Sequence, residues 1–414
     1  LASFGVLADT RKLTIGFARR GYSASGGAES YLKRLALGVV DLGHSVQLLT
    51  TGDWPPNEWQ FGSITQLQAR HRRSPSGWRT KSAIGFANEL EQLRSQIRCD
   101  VLMSLERVWS CDVYRAGDGV HRAWLERRKR FAAPLDKLFR TFNRKHTEIL
   151  RLEKSLLADR GAGRVIASSQ MVKNEIIDLY DYPADKIDIV RNGVPLEQFR
   201  FDPEVRAKAR ADLKLQADEI AVLFAGSGWE RKGLRFAIEA VDACPNLKIR
   251  LLVAGRGNER KFKSSRAQFL GELADLAPTY AASDIFLLPT IYDPFSNACL
   301  EALASGIPVI TTRGNGFSEV IEHGVHGSIV DLADDIGSLR DAIQLWSEPS
   351  RRAAARSTTE PAGAERRGRE SPRGFASGDA RELIVECASQ FDISKNVEKT
   401  LAILLQVANI AAST

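Results

Sequence analysis

Short apolar runs recur along this chain, and most are followed by a segment whose apolar residues fall three and four apart. Leu13–Ala18, Ser45–Thr50, Cys99–Leu105, Arg164–Ser168 and Lys186–Arg191 are such runs in the first half. Ile220–Ala225, Lys248–Ala254, Ile285–Leu288, the run from Ile307 to Ile310 and Gly324–Val330 are their counterparts in the second. Several are apolar at successive positions, as strands buried on both faces are. Strands alternating with amphipathic helices restrict the chain to an α/β architecture of doubly wound parallel sheets. At 414 residues there is room for two such domains of roughly 150 residues each.

One stretch combines this pattern with chemistry. PTIYDPFSNACLEALASGIPVITT, from Pro289 to Thr312, reads as strand end, loop, helix, tight turn and strand. Ala298, Leu300, Leu303 and Ala304 give the helix an apolar face, and Gly306 marks its stop. Asp293 lies in the loop and Glu301 about one turn inside the helix. A helix start offers free N–H groups and a positive dipole end, which suits a diphosphate. Two carboxylates beside such a seat suit the hydroxyls of a nucleotide sugar.

Two further turns carry candidates. In GSGWERKG, after the buried run Ile220–Ala225, the adjacent cations Arg231 and Lys232 suit a leaving diphosphate. In RRGYSASGG, Gly26 and Gly27 precede a helix whose face is Leu32, Leu35, Ala36, Val39 and Val40. The pair permits close backbone approach to a phosphate or substrate, although it is not the G-x-G-x-x-G dinucleotide pattern. In AGDGVH, Asp118 and His121 sit on a glycine-flanked turn after strand-like sequence and are polar candidates for the wall of a cleft.

The Asp293–Glu301 spacing with its GIPVI sequel, Lys232-Gly233, Gly26-Gly27 and Asn192-Gly193-Val194 resemble the motifs of retaining GT-B glycosyltransferases of family 4, group 1. Asp293 stands where that family usually has the first Glu of E-x7-E. The G-D-G-V-H turn followed by a basic helix resembles, within that group, the heptose-directed glucosyltransferases of the lipopolysaccharide core. The resemblance implies two Rossmann-like domains facing across a cleft. An N-terminal acceptor-side domain would occupy 1–195 and a nucleotide-sugar domain 196–387. A helix in 388–414, with Asp392 and Ser394 as candidate caps, would cross back to the first domain.

It implies that Lys232, with Arg231, holds the donor phosphates, Asp293 reads sugar hydroxyls and Glu301 reads the ribose. Phe295, Ser296 and Asn297 would offer backbone amides, and Gly26 and Gly27 would line the donor side. Asp118 or His121 would orient the acceptor. The implied activity is retaining transfer from a nucleotide-diphosphate sugar, UDP-glucose or similar, to a glycan or glycolipid such as lipopolysaccharide core. The nucleotide sugar is a co-substrate and no cofactor is implied. With no D-x-D pair, the expected mechanism uses no metal, and with no evident carboxylate nucleophile, same-face attack is expected over double displacement.

Net charge is +7, and its location is informative. His121–Arg160 holds 12 Lys/Arg against 5 Asp/Glu, leaving the rest of the chain balanced at 46 against 46. From Phe131 to Leu157 apolar residues including Leu135, Leu138, Phe139 and Phe142 recur at helical steps with basic residues opposite. A basic amphipathic helix suits an anionic membrane surface. The expected location is therefore cytoplasmic and peripheral on the inner face of the cytoplasmic membrane. No apolar run reaches the ~18 residues of a membrane span, and LASFGVLADTRK is too short and polar for a secretory leader. Five scattered cysteines read as reduced thiols, neither a disulfide frame nor a zinc site. Ser350–Gly374, with seven Arg and no aliphatic residue larger than Ala, reads as a poorly ordered insertion. Two other functions compete: a GT-B sugar-nucleotide epimerase, and a non-catalytic basic protein binding membrane or nucleic acid. The second lacks any nucleic-acid module and leaves Lys232, Asp293 and Glu301 without a role.

Overall fold

The computed structural model describes residues 12–22, 27–52, 54–67, 82–131, 144–348 and 379–413. The chain divides into two compact units, residues 1–190 with 394–414 and residues 191–393. Gly26, Leu135, Leu138, Phe139, Phe142 and the segment Ser350–Gly374 lie outside the described residues.

The first unit contains β1 (Thr14–Ala18), β2 (Ser45–Thr50), β3 (Ser63–Gln66), β4 (Val101–Ser104), β5 (Cys111–Ala116), β6 (Ala162–Ala167) and β7 (Ile187–Ile189). They form one parallel sheet in the order β3-β2-β1-β4-β5-β6-β7. Its helices are α1 (Gly27–Asp41), α2 (Ala83–Gln92), α3 (His121–Arg130), α4 (Arg144–Leu157) and α5 (Gln170–Tyr180). Central β4, VLMS, is buried at every residue, whereas edge strand β3, SITQ, is largely exposed. Leu32, Leu35, Ala36 and Val39 bury the face of α1, and Gly43 follows it at φ +89°.

The second unit contains β8 (Ile220–Ala225), β9 (Ile249–Ala254), β10 (Ala267–Gly271), β11 (Ile285–Leu288), β12 (Val309–Thr312) and β13 (Gly327–Val330). These are parallel in the order β10-β9-β8-β11-β12-β13. Its helices are α6 (Pro203–Asp212), α7 (Trp229–Lys232), α8 (Leu234–Asp242), α9 (Ala277–Ala282), α10 (Asn297–Ala304), α11 (Ile336–Ser347) and α12 (Asp379–Ser389). β8, β11 and β12 are buried throughout. Gly306 ends α10 at φ +69° against the Arg381 side chain of α12. The chain then returns to the first unit as α13 (Ile393–Ser413). Both units are therefore doubly wound α/β folds.

Each sheet reverses its strand order once, between β1 and β4 and between β8 and β11. In such sheets ligands bind beyond the carboxyl ends of the strands at the reversal.

The structure differs from the sequence reading in places. Helix α3 begins at His121, ahead of the helical pattern expected from Phe131; HRAWLERRKR buries only Ala123 and so shows no apolar stripe to mark it. Edge strands β3 and β10 and helix α2 are not marked in the sequence reading. The division between units falls at 190/191 and 393/394, where boundaries at 195/196 and 387/388 were expected. Asn192–Pro195 belongs to the second unit because Val194 bridges Asp392 and Asn192 donates to the Phe295 carbonyl at 3.1 Å.

Candidate active site

The reversal point of the second sheet gathers the residues expected to hold a donor. After β8 the chain turns through Gly226 (φ +142°), Gly228 (φ +75°) and Gly233 (φ +80°). A Cβ at Gly233 would stand 1.9 Å from the Pro289 carbonyl oxygen, so only glycine lets the turn reach the chain leaving β11. Trp229 anchors this turn. Its ring packs against Phe262 and Phe269 at 5.7 and 5.4 Å, and its Nε1 donates to the Gly226 carbonyl at 3.0 Å. Arg231 stitches the two strand ends together. Its carbonyl accepts from Ile291 N and Thr290 Oγ1, each at 2.9 Å, and its Nη1 lies 3.5 Å from the Tyr292 carbonyl. The Lys232 stem runs past Gly226, and its Nζ forms an ion pair with Asp293 Oδ2. These side chains are 12% and 6% exposed.

Asp293 is fixed through its backbone: its N–H donates to the Gly314 carbonyl and its carbonyl accepts from Gly316 N, both at 2.9 Å. Between those glycines Asn315 is fully buried. Its Oδ1 accepts from Ser296 N at 3.3 Å and Phe317 N at 3.1 Å. Its Nδ2 donates to Thr311 Oγ1 at 3.0 Å and Cys299 Sγ at 3.3 Å. Ser296 caps α10 by accepting from Cys299 N at 3.4 Å. Asn297 Oδ1 accepts from Asn192 Nδ2 at 2.6 Å, and the Phe295 ring packs between Phe317 and Phe391. Of the three amides expected to face a ligand, that of Ser296 is thus already engaged by Asn315. Burial pushes the Cys299 thiol up to about 12, so it offers no thiolate nucleophile.

Glu301, half-buried on α10, has Oε2 3.1 Å from the Tyr280 hydroxyl. Burial first, and the neighbouring Glu301 carboxylate second, hold this phenol proton well above its ordinary range. Tyr280 therefore keeps its proton and acts as a donor shared between Glu301 and the Ala298 carbonyl, also at 3.1 Å. Tyr280, Asn192 and Asn315 are site residues that the sequence reading missed.

In the first unit Gly27 opens α1, and Asp118 is exposed on the turn after β5, with Gly119 at φ +68°. The turn is held from below by Glu153 of α4, 1% exposed. Glu153 accepts from the backbone N–H groups of His121 and Arg122 at 2.7 and 3.0 Å, from Arg107 Nε at 2.8 Å and from Tyr180 OH at 2.7 Å. Burial opposes ionisation, but Arg107, the phenol and the two amides outweigh it and hold Glu153 below the usual carboxylate range. Arg107 Nη2 also donates to the Gly119 carbonyl at 2.6 Å. His121 Nε2 is 3.0 Å from His146 Nδ1. Burial, followed by Arg107, drives the His121 imidazole down to about 4, so it is neutral at pH 7. At the reversal of this sheet Arg19 pairs with Glu29 and Glu106 at 2.9 and 2.8 Å.

Among the described residues no group of three or more His, Cys, Asp or Glu is placed to hold a metal ion. No described helix is long and apolar enough to cross a membrane.

The chain matches the Glycosyltransferase Family 4 model over residues 25–198 and the Glycosyl transferases group 1 model over residues 219–347. A D-inositol 3-phosphate glycosyltransferase of Thermobispora bispora is 31% identical over 215 residues, 47% of this chain and 50% of that protein. The chain spans about half the length of the curated relatives it matches. Among solved structures, WaaG, a glycosyltransferase involved in lipopolysaccharide biosynthesis, superposes with a TM-score of 0.73 at 18% identity, over 94% of this chain and 99% of that one. Anabaena HepE in complex with UDP-glucose superposes with a TM-score of 0.65 at 18% identity, over 97% and 100%. The fold is shared across nearly the whole chain, each unit carries its own family match, and the chain belongs to the GT-B glycosyltransferases of family 4, group 1.

Proposed function

We propose that this protein transfers a sugar, with retention of anomeric configuration, from a nucleotide-diphosphate donor such as UDP-glucose to a glycan or glycolipid acceptor of the lipopolysaccharide-core type. The observation that carries this reading is the Lys232–Asp293 pair, set across the β8/β11 reversal beside the capped start of α10. There a cation meets a diphosphate and a carboxylate meets sugar hydroxyls. Lys232, with Arg231 and the α10 start, neutralises the charge that develops on the leaving diphosphate. Asp293 reads the sugar, Glu301 held by Tyr280 reads the ribose, and the Phe295 and Asn297 amides complete the seat. Gly27, which opens α1, gives close backbone approach there, and Gly26, its neighbour in sequence, is proposed to share that role. In the first unit Asp118 and neutral His121 orient the acceptor hydroxyl. Attack on the face the diphosphate leaves gives retention without a covalent intermediate. WaaG, a glycosyltransferase involved in lipopolysaccharide biosynthesis, and HepE, which binds UDP-glucose in its complex, support the acceptor and donor classes.

The basic segment Arg122–Lys154, which includes most of α3, docks the protein on an anionic membrane where a lipid-linked acceptor resides, at the inner face of the cytoplasmic membrane. Nucleic acid is not a partner in this reading.

The test is incubation with a panel of nucleotide sugars in excess EDTA, following released nucleotide and the anomer of the freed sugar by NMR. Slow hydrolysis of one donor, with its α-anomer formed first, is the expected result. First-formed β-sugar would overturn retention, an epimerised donor would reveal an epimerase, and activity only after adding Mg²⁺ would overturn the metal-free diphosphate seat.

A further inference from the structure

Building on the donor reading above, we infer that Asp293 makes the site discriminate between a sugar-bearing nucleoside diphosphate and the bare diphosphate, so that the carboxylate that reads the donor also expels the product. The starting observation is that Lys232 and Asp293 are paired with each other, with both side chains almost withdrawn from solvent. A diphosphate that takes Lys232 takes it from Asp293. The carboxylate cannot retreat far, because its backbone is bonded on both sides to the 314–316 turn and that turn is locked by buried Asn315.

Three states follow. In the free protein the two charges satisfy one another. With a nucleotide sugar bound, Lys232 moves to the diphosphate, and a sugar hydroxyl replaces it as donor to Asp293. Every charged group then keeps a partner, and the new carboxylate bond is charge-assisted. With the bare diphosphate bound, Lys232 is again taken, but no hydroxyl replaces it. Asp293 is left buried, without its cation, beside a terminal phosphate whose second ionisation near pH 6 adds about one more negative charge. A buried carboxylate stripped of its partner is unfavourable, and a second anion beside it is more so. In the donor reading Arg231 goes with Lys232 to the diphosphate, and its Nη1 faces the Tyr292 carbonyl, so it does not take the place of Lys232 at Asp293. Transfer of the sugar thus converts a fully paired site into a repulsive one.

The experiment measures calorimetric affinities for UDP and for UDP-glucose, in EDTA, of wild type, Asp293→Asn, Asp293→Ser, Asp293→Glu and Lys232→Ala. Removing the charge in Asn or Ser should tighten UDP by about tenfold, the scale of one lost charge conflict. UDP-glucose should tighten by far less or weaken. Asp293→Glu, which restores a carboxylate, should keep the wild-type ratio, and Lys232→Ala should weaken both ligands. UDP as a product inhibitor should become correspondingly more potent in Asp293→Asn. The inference is overturned if wild type binds both ligands and the neutral variants bind UDP no tighter, or if they tighten both ligands equally. If wild type binds neither ligand, the donor reading itself falls and this inference with it. Using two neutral variants keeps the test decisive should one fail to fold.

Discussion

His121 faces Arg107, Glu153, His146 and Lys145, and burial followed by Arg107 brings its pKa down to about 4. In an unfolded chain the imidazole titrates near about 6.5. Between those values the unfolded chain binds a proton that the folded one refuses, so stability falls as pH drops from about 6.5 towards 4 and is unaffected above. His121→Gln should flatten the difference in urea midpoint between pH 7.5 and pH 5, and an unchanged difference would assign the effect to other groups. At this scale the sequence was legible in the charged residues that we propose act on the donor, which the structure gathers at the reversal of the second sheet. Lys232, Asp293 and Glu301 are charged types beside glycines or at a helix start, and their chemistry shows in the letters. Asn315, Tyr280 and Glu153 were not legible. An Asn between two glycines reads as a turn former, and a Glu among Leu152, Leu156 and Leu157 reads as a solvated position on an amphipathic helix. Their function is to hold other groups, which appears only once distant segments are packed together.

At the scale of elements, α1 and α13 meet at Gly38. A Cβ there would lie 2.5 Å from Val397 Cγ1, well inside contact distance. Gly38→Ala would gain about 1 kcal/mol of helix propensity and lose roughly 1–3 kcal/mol to overpacking. The packing loss wins, so the variant should unfold at lower urea, and adding Val397→Ala should restore much of the loss. A single variant as stable as wild type would show that α13 shifts freely. The legible elements were those buried on both sides, such as β8 (IAVLFA) and β11 (IFLL), whose composition leaves little alternative. Edge strands β3 and β10 keep polar or half-exposed residues, and α3 owes its start to Glu153 on another helix. None of these carries its own signal.

For the molecule as a whole, the net charge of +7 equals that of His121–Arg160. Within α3, Arg127 is committed to Glu175 at 2.6 Å, while Lys129 and Arg130 are exposed and Arg128 lies over Trp124. Each exposed cation near an anionic surface contributes about 1 kcal/mol, decaying over a Debye length of about 8 Å. Changing Arg128, Lys129 and Arg130 together to Ser should abolish co-sedimentation with anionic vesicles at low salt without altering donor hydrolysis. Equal sedimentation of the variant, or wild-type binding to neutral vesicles, would overturn the membrane reading. The division into units also sets the order in which they can be completed. The second is one unbroken stretch, 191–393, whereas the first still lacks the helix that carries Val397 when that stretch has been made. On the ribosome the unit begun first is finished last. A nascent chain halted near Ile393 would carry a second unit whole in sequence and a first unit in which Gly38 still lacks Val397 against it.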